Sequence, residues 1–165
     1  MKPTAEQVEP VARTSVRLLL VDDKDRLLLF ASHDDFDGHR YWYPIGGGIE
    51  EGETLAETAV REAWEETGLT DVQLGPEVWR RRATASWGGV SYDCREHYFL
   101  VRVDSFDVDT SGFTENERET VKGHHWWTLD EMSATGDRLV PRDLRSLLSD
   151  LLVSGPPDEL IFLTT

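Results

Sequence analysis

The chain has 165 residues, 39% apolar and 30% charged, which is enough for one domain with a core and short for two. No apolar run approaches the ~20 residues a membrane span needs, and residues 1–15 lack the apolar stretch of a signal peptide. A lone cysteine, Cys94, rules out an internal disulfide, so the expectation is a cytoplasmic protein with no membrane partner. A formal net charge of −15 disfavours a nucleic acid polymer as partner, and it repels any phosphorylated substrate unless cations or a local basic site intervene.

Residues 1–10 read as a flexible tail and 11–165 as one domain. Val16–Val21 is an apolar strand, Asp22–Asp25 supplies turn chemistry, and Leu27–Phe30 is a second strand; together they read as a hairpin. Residues 32–40 are polar and read as a loop. Pro44 and Gly46-Gly47-Gly48 punctuate the chain before a helix over 54–67. Thr54 with Glu57 three places on forms a capping box, and Gly68 suits the left-handed position past the helix end. Val78–Thr84 and His97–Val103 read as strands joined through Trp87-Gly88-Gly89. Residues 104–123 form a polar, acidic loop, His124–Thr128 a short strand, and Leu129–Ser133 a short turn or helix. Pro141 opens a last helix with Leu144, Leu147, Leu148 and Leu151 on one face. The sum is α+β, a mixed sheet with few helices.

The helix over 54–67 carries the chemistry. At ~100° per residue with Leu55 at zero, Ala59, Ala63, Ala56 and Val60 fall between about 40° and 140° and mark the buried stripe. Glu62 and Glu66 fall near about 340° and 20°, at its edge, and Glu65 completes an arc of about 100°. Like charges at this spacing destabilise a helix, more so when partly buried. A cation has to neutralise them. Arg61 is one candidate; hard divalent ions with oxygen ligands, Mg²⁺ or Mn²⁺, are the better answer. A lone Glu-Glu pair usually belongs to a solvated helix with pairs such as Glu57–Arg61. The angular placement and the flanking glycines reverse that preference. Gly46-Gly47-Gly48 reads as a glycine-rich loop whose backbone approaches a phosphate ahead of a helix N-terminus.

Gly47, five residues, Glu53, seven residues, then Arg61-Glu62-Ala63-Trp64-Glu65-Glu66-Thr67-Gly68-Leu69 resembles the Nudix box over 47–69. At ordinary residue frequencies a chance match of its fixed positions at a given start is about one in 10⁸. Outside the box the resemblance is looser. It includes the aromatic strand Tyr41-Trp42-Tyr43 running into the glycines, and Trp126-Trp127-Thr128-Leu129 followed by Glu131. One departure is Ile45, with Pro44 one earlier, where the family often has proline next to the glycine pair.

The resemblance implies a mixed sheet sandwiched between helices, and a metal-dependent hydrolase of the Nudix family that cleaves the diphosphate bond of a nucleoside diphosphate linked to another group. It implies Glu62, Glu65 and Glu66 as ligands of more than one Mg²⁺ or Mn²⁺ ion, Glu53 as the acid supporting them, and Arg61 as the arginine that orients them. It also implies Gly47, with Gly46 and Gly48 beside it, in holding metal or ligand. A general base is expected in the box or on a later loop, where Glu117 ranks ahead of Glu119, with Glu115 and Glu96 as further candidates. Alternation aims Arg80 and Arg82 one way and Arg81 the other, so Arg82 is carried as a substrate contact beside Trp87, although a solvated face is the commoner fate of such residues. Cys94 reads as structural, the other tryptophans mostly as core, and Trp64 as packing on the helix flank. His124 and His125 point to opposite faces of a strand and cannot both serve one ion. Nucleoside triphosphates, nucleotide sugars and dinucleoside polyphosphates stay open as small-molecule substrates, as does a homodimer. The rivals are a nucleotide-sensing domain without catalysis, an isoprenoid diphosphate isomerase, whose cysteine context Cys94 does not match, and RNA decapping, which the acidity disfavours.

Overall fold

The computed structural model describes residues 8–164, with the backbone alone at Trp87. Of the tail expected over 1–10, residues 1–7 lie outside the described residues, and residues 8–10 are exposed. The first strand, β1 (Val11–Val21), is central: β3 (Arg40–Gly48) flanks it antiparallel and β5 (Val90–Arg102) parallel. Val16, Leu18 and Leu20 belong to one apolar cluster and Leu19 and Val21 to another on the opposite face. A strand covered on both faces needs a continuous apolar run rather than alternation, which is what Leu18–Val21 supplies.

The sheet runs β6-β2-β3-β1-β5-β4-β8, with β2 at Leu27–His33, β4 at Glu77–Trp87, β6 at Gly123–Trp127 and β8 at Ile161–Leu163; the short β7 (Arg138–Leu139) pairs with β3. The β1–β5, β4–β8 and β3–β7 pairings are parallel and the others antiparallel. The first helix, α1 (Leu55–Thr67), covers one face through Ala59 and Ala63; α3 (Leu129–Ala134) and α4 (Leu144–Ser154) cover the other through Met132, Leu144, Leu148 and Leu151. This is the expected mixed sheet between helices. No helix among the described residues is long and apolar enough to cross a membrane.

Five details differ from the sequence reading. β1 and β2 meet only at Val21–Leu27, and β3 inserts between them beyond that point; two apolar strands in succession do not say whether they pair or admit a third. Gly46, Gly47 and Gly48 form the end of β3, in register with Ser15–Arg17, rather than a loop. Ile45 is fully buried opposite Leu18, so the ladder runs on past Pro44. Residues 115–120 of the supposed loop form a helix, α2 (Glu115–Thr120), capped by Thr114 and Glu117; α4 starts at Leu144, three residues after Pro141. The β4–β5 connection is as expected, with Gly88 and Gly89 both at positive φ in a two-residue turn.

Gly46 has φ +144°, and a Cβ there would collide with the Val16 carbonyl across the ladder. Gly46→Ala is expected to lose about 1–3 kcal/mol of stability, read as a lower midpoint in urea unfolding with an unchanged slope. An unchanged midpoint would show that the β1–β3 approach is looser than described.

Candidate active site

Helix α1 begins and ends as its sequence dictates. The Thr54 hydroxyl accepts the Glu57 N–H while the Glu57 carboxylate accepts the Thr54 N–H, and Gly68 at φ 76° closes the other end. Its buried face consists of Thr58, Ala59, Glu62, Ala63, Glu66 and Thr67. Ala56 and Val60 are exposed, and Trp64, read as packing, is 55% exposed. The buried stripe is therefore rotated toward the glutamates, and Glu62 and Glu66 (5% and 4% exposed) sit in it rather than at its margin.

Two neighbours make that burial tolerable. The Gly46 N–H donates to Glu66 Oε2 at 2.9 Å, and Gly47 lies so close to Glu62 that any Cβ would overlap its carboxylate. The space of the absent side chain at Gly47 is what the Glu62 carboxylate fills. Arg61 supplies the countercharge. Its Nη1 reaches Glu62 Oε1 at 2.9 Å and Glu65 Oε2 at 3.2 Å, its Nε and Nη2 clasp Glu53 at 2.6 and 3.0 Å, and Nη2 also donates to the Gly48 carbonyl. Glu53 further accepts from the Thr58 hydroxyl at 2.8 Å, and the hydrogen bond from Arg61, with the Glu50 N–H after it, holds its carboxyl down to about 2.

Glu117 of α2 brings a third carboxylate. One oxygen each of Glu62, Glu66 and Glu117 lie within 4.8 Å of one another, the one grouping with metal-ligand geometry among the described residues. These three side chains, with Gly46–Gly48, Arg13, Arg17, Tyr41 and Tyr43, line a cavity of about 350 Å³. Burial, opposed by Arg61, pushes the Glu62 carboxyl up to about 7. Burial and then the Glu62 charge push Glu66 higher than an ordinary carboxyl. Glu62 Oε2 is buried without a hydrogen-bond partner.

The structure thus brings Glu62, Glu66, Glu117 and the three glycines to one cavity, with Glu53 and Arg61 bracing it. Glu65 turns to Arg61 and is not part of the three-carboxylate group. Arg82 is not brought there: it lies on β4, pairs with Asp93 at 2.7 Å and has a side chain 73% exposed. The side chain of Trp87 is outside the described residues. Glu96 is buried between Arg17 and Arg81, away from the carboxylate group. Trp42, Trp79 and Trp127 are core, and the aromatic lining is Tyr41 and Tyr43 instead. His125 pairs with Glu131. Burial raises the pKa of Cys94, as suits a structural thiol. Arg17 is absent from the candidates that the sequence offers, although a single charge inside the run Val16–Val21 is a legible signal.

A family model described as NUDIX domain matches residues 11–148. A bis(5'-nucleosyl)-tetraphosphatase [asymmetrical] of Rattus norvegicus is 34% identical over 111 residues, 64% of this chain and 65% of that protein. An RNA pyrophosphohydrolase of Cereibacter sphaeroides is 28% identical over 148 residues, 81% of this chain and 86% of the other. The crystal structure of a MutT protein from Methanosarcina mazei Go1 is similar with a TM-score of 0.62 at 21% identity, covering 89% of this chain and 97% of that one.

Two outcomes follow from the crowding of carboxylates. Glu62 and Glu66 titrate above an unfolded carboxyl, so the metal-free folded state binds more protons than the unfolded state between the ordinary value and about 7. Its stability should therefore fall as pH rises through that window, and the stabilisation gained from added Mn²⁺ should grow over the same range; urea titrations from about pH 5 to 8 with and without Mn²⁺ check both. Gly47→Ala pushes on the flexible end of Glu62 rather than on backbone. It should unfold near wild type but weaken Mn²⁺ binding at least about tenfold, read by the paramagnetic resonance signal of free Mn²⁺.

Proposed function

The chain belongs to the NUDIX domain family, and from that premise we propose that it is a metal-dependent hydrolase that cleaves the diphosphate bond of a nucleoside diphosphate derivative. The observation that carries this reading is the convergence of Glu62, Glu66 and Glu117, with the buried Oε2 of Glu62 left without a partner. An orphaned carboxylate oxygen beside two further carboxylates is costly unless a cation completes it, and an all-oxygen donor set fits Mg²⁺ or Mn²⁺. Such ions offset charge at the attacked phosphorus and lower the pKa of a water.

The chain's own residues divide the remaining work. Glu62 and Glu66 would hold an ion from a fixed helix face. Glu65, whose Oε2 meets Glu62 Oε1 at the same nitrogen of Arg61, is the residue that would help hold a further ion. Glu53, fastened by Arg61, the Thr58 hydroxyl and the Glu50 N–H, keeps the guanidinium aimed at the glutamates. Glu117 reaches the group from a different segment and is assigned the proton of the attacking water. Gly46, Gly47 and Gly48 line the cavity with backbone, beside the carboxylates that would hold the ions. The −15 charge supports a small-molecule substrate over an RNA end, and the rat relative named above supports a dinucleoside polyphosphate as the first to try. A sensing domain has no use for a complete set of box acids.

The test is phosphate release with Mg²⁺ or Mn²⁺ over nucleoside triphosphates, nucleotide sugars, dinucleoside polyphosphates and 5′-triphosphorylated RNA. Wild type should turn over at least one nucleotide, and Glu66→Gln should lose at least about a hundredfold in kcat. Glu117→Gln should lose kcat even at saturating Mn²⁺, by more than any loss of Mn²⁺ affinity accounts for. Saturable nucleotide binding without turnover would sink the hydrolase reading, and unchanged turnover in Glu66→Gln the ligand assignment.

A further inference from the structure

Glu96 and the Arg80–Arg82 run take no part in the chemistry above, yet Arg17 connects them to it. Arg17 is in the middle of β1, in a run otherwise apolar from Val16 to Val21, and its side chain is 19% exposed. Its Nε donates to Glu96 Oε1 at 3.2 Å and its Nη1 makes a long contact of 3.5 Å with the Pro44 carbonyl, leaving Nη2 outside both bonds on a side chain that lines the carboxylate cavity. Glu96 is 8% exposed, and its Oε2 accepts from Arg81 Nη1 at 3.0 Å and from the Tyr98 hydroxyl at 2.9 Å. Register explains the grouping: Arg17 lies opposite Tyr98 on β5, Arg81 on β4 lies opposite Glu96, and the four side chains share one face.

A buried ion pair seldom recovers its desolvation cost, and an apolar pair of similar size would serve the sheet as well or better. Two guanidinium groups against one carboxylate leave positive charge beside the cavity. That charge is at odds with a cavity that has only cations to hold, because a guanidinium next to Glu66 repels them. It fits a cavity that must also take an anion, since an arginine fork matches phosphate oxygens. Burial works against the Arg17 charge, but Glu96 foremost, with Glu66 also contributing, keeps its pKa above the ordinary value.

We propose that Arg17 contacts the diphosphate oxygens of the substrate, and that Glu96 is the positioning residue that aims it, itself braced by Arg81 and Tyr98. This rests on the hydrolase reading of the same cavity. It makes Arg81, the residue on the opposite side from Arg82, the member of the arginine run that serves the site, indirectly and from two strands away.

The probe is imidodiphosphate with Mg²⁺, a diphosphate analogue whose P–N–P bridge resists hydrolysis, titrated calorimetrically into the full chain, with Mn²⁺ binding measured separately. Arg17→Gln should weaken imidodiphosphate at least about tenfold, equivalent to about 1.4 kcal/mol, while Mn²⁺ affinity stays within about twofold or improves as a nearby cation is lost. Arg17→Lys keeps the charge but not the fork and should fall between. Glu96→Gln should weaken imidodiphosphate by a smaller factor and appear as a raised KM with little change in kcat. Arg17→Gln or Arg17→Lys with wild-type imidodiphosphate affinity overturns the proposal; should the glutamine variant fail to fold, the lysine variant decides. Wild type that binds neither Mn²⁺ nor imidodiphosphate brings down the hydrolase reading itself, whereas wild-type turnover with indifferent Arg17 variants removes Arg17 alone.

Discussion

Two carboxylates packed side on against the backbone of a strand are the constraint from which the rest of this structure follows. Glu62 and Glu66 occupy the inner face of α1, where an amphipathic helix normally places apolar side chains. Their burial rests on β3 presenting no side chain to Glu62 at Gly47, on the Gly46 N–H offered to Glu66, and on Arg61 satisfying one oxygen of Glu62. Each condition fixes a neighbour. The β3 backbone must end in glycine, β1 must run close enough for the Val16 carbonyl to occupy the place of a Cβ at Gly46, and Arg61 must be clasped in turn by Glu53. The helix cap at Thr54 and the left-handed Gly68 set the angular register on which all of this depends.

Charge is distributed to the same end. The chain is strongly acidic, yet the surroundings of the cavity hold several of its arginines: Arg61 within the helix, and Arg13 and Arg17 on β1. The other cations of β4 have partners of their own, Arg80 with Glu77, which His97 shares, and Arg82 with Asp93, which Arg95 shares. Pairs whose arginine is exposed contribute little to stability. The arginines that matter are those whose partner is buried, Arg17 and Arg81 around Glu96, because there the desolvation of one group is offset by another only if the geometry is held.

What is legible in the sequence follows the range of the interaction involved. Helix α1 is readable to within a residue because its start and stop are local signals, a capping box and a C-terminal glycine. The same signal, Thr114 with Glu117, starts α2 but does not stand out, because a six-residue helix with no buried residue shows no apolar periodicity to support it. The rotation of the buried stripe from Ala56 and Val60 toward Glu62 and Glu66 is not readable from the helix at all. Hydropathy assigns glutamate outward, and only the glycines of the preceding strand make the inward position tolerable. The glycines themselves read as a loop because three in a row resemble one; register with Ser15–Arg17 places them in the sheet. Strand parity separates Arg81 from Arg82 correctly, but parity names two faces without saying which is covered.

The site also draws its order from two unequal sources. Glu62 and Glu66 are placed by packing between helix and sheet, so their positions are as fixed as the core around Ala59 and Ala63. Glu117 is placed by its own helix cap: its Oε2 accepts the Thr114 N–H at 3.1 Å, and α2 has no buried residue. The ties that hold this segment to the sheet include the Ser32 hydroxyl on the Thr120 carbonyl and the Lys122 N–H on the Ala31 carbonyl. A segment with few buried contacts opens at lower free energy than a core helix. The division suits the roles assigned to the three carboxylates. Groups that hold ions need a rigid seat, whereas a group that takes up a proton and gives it back needs only to return to the same place in each turnover.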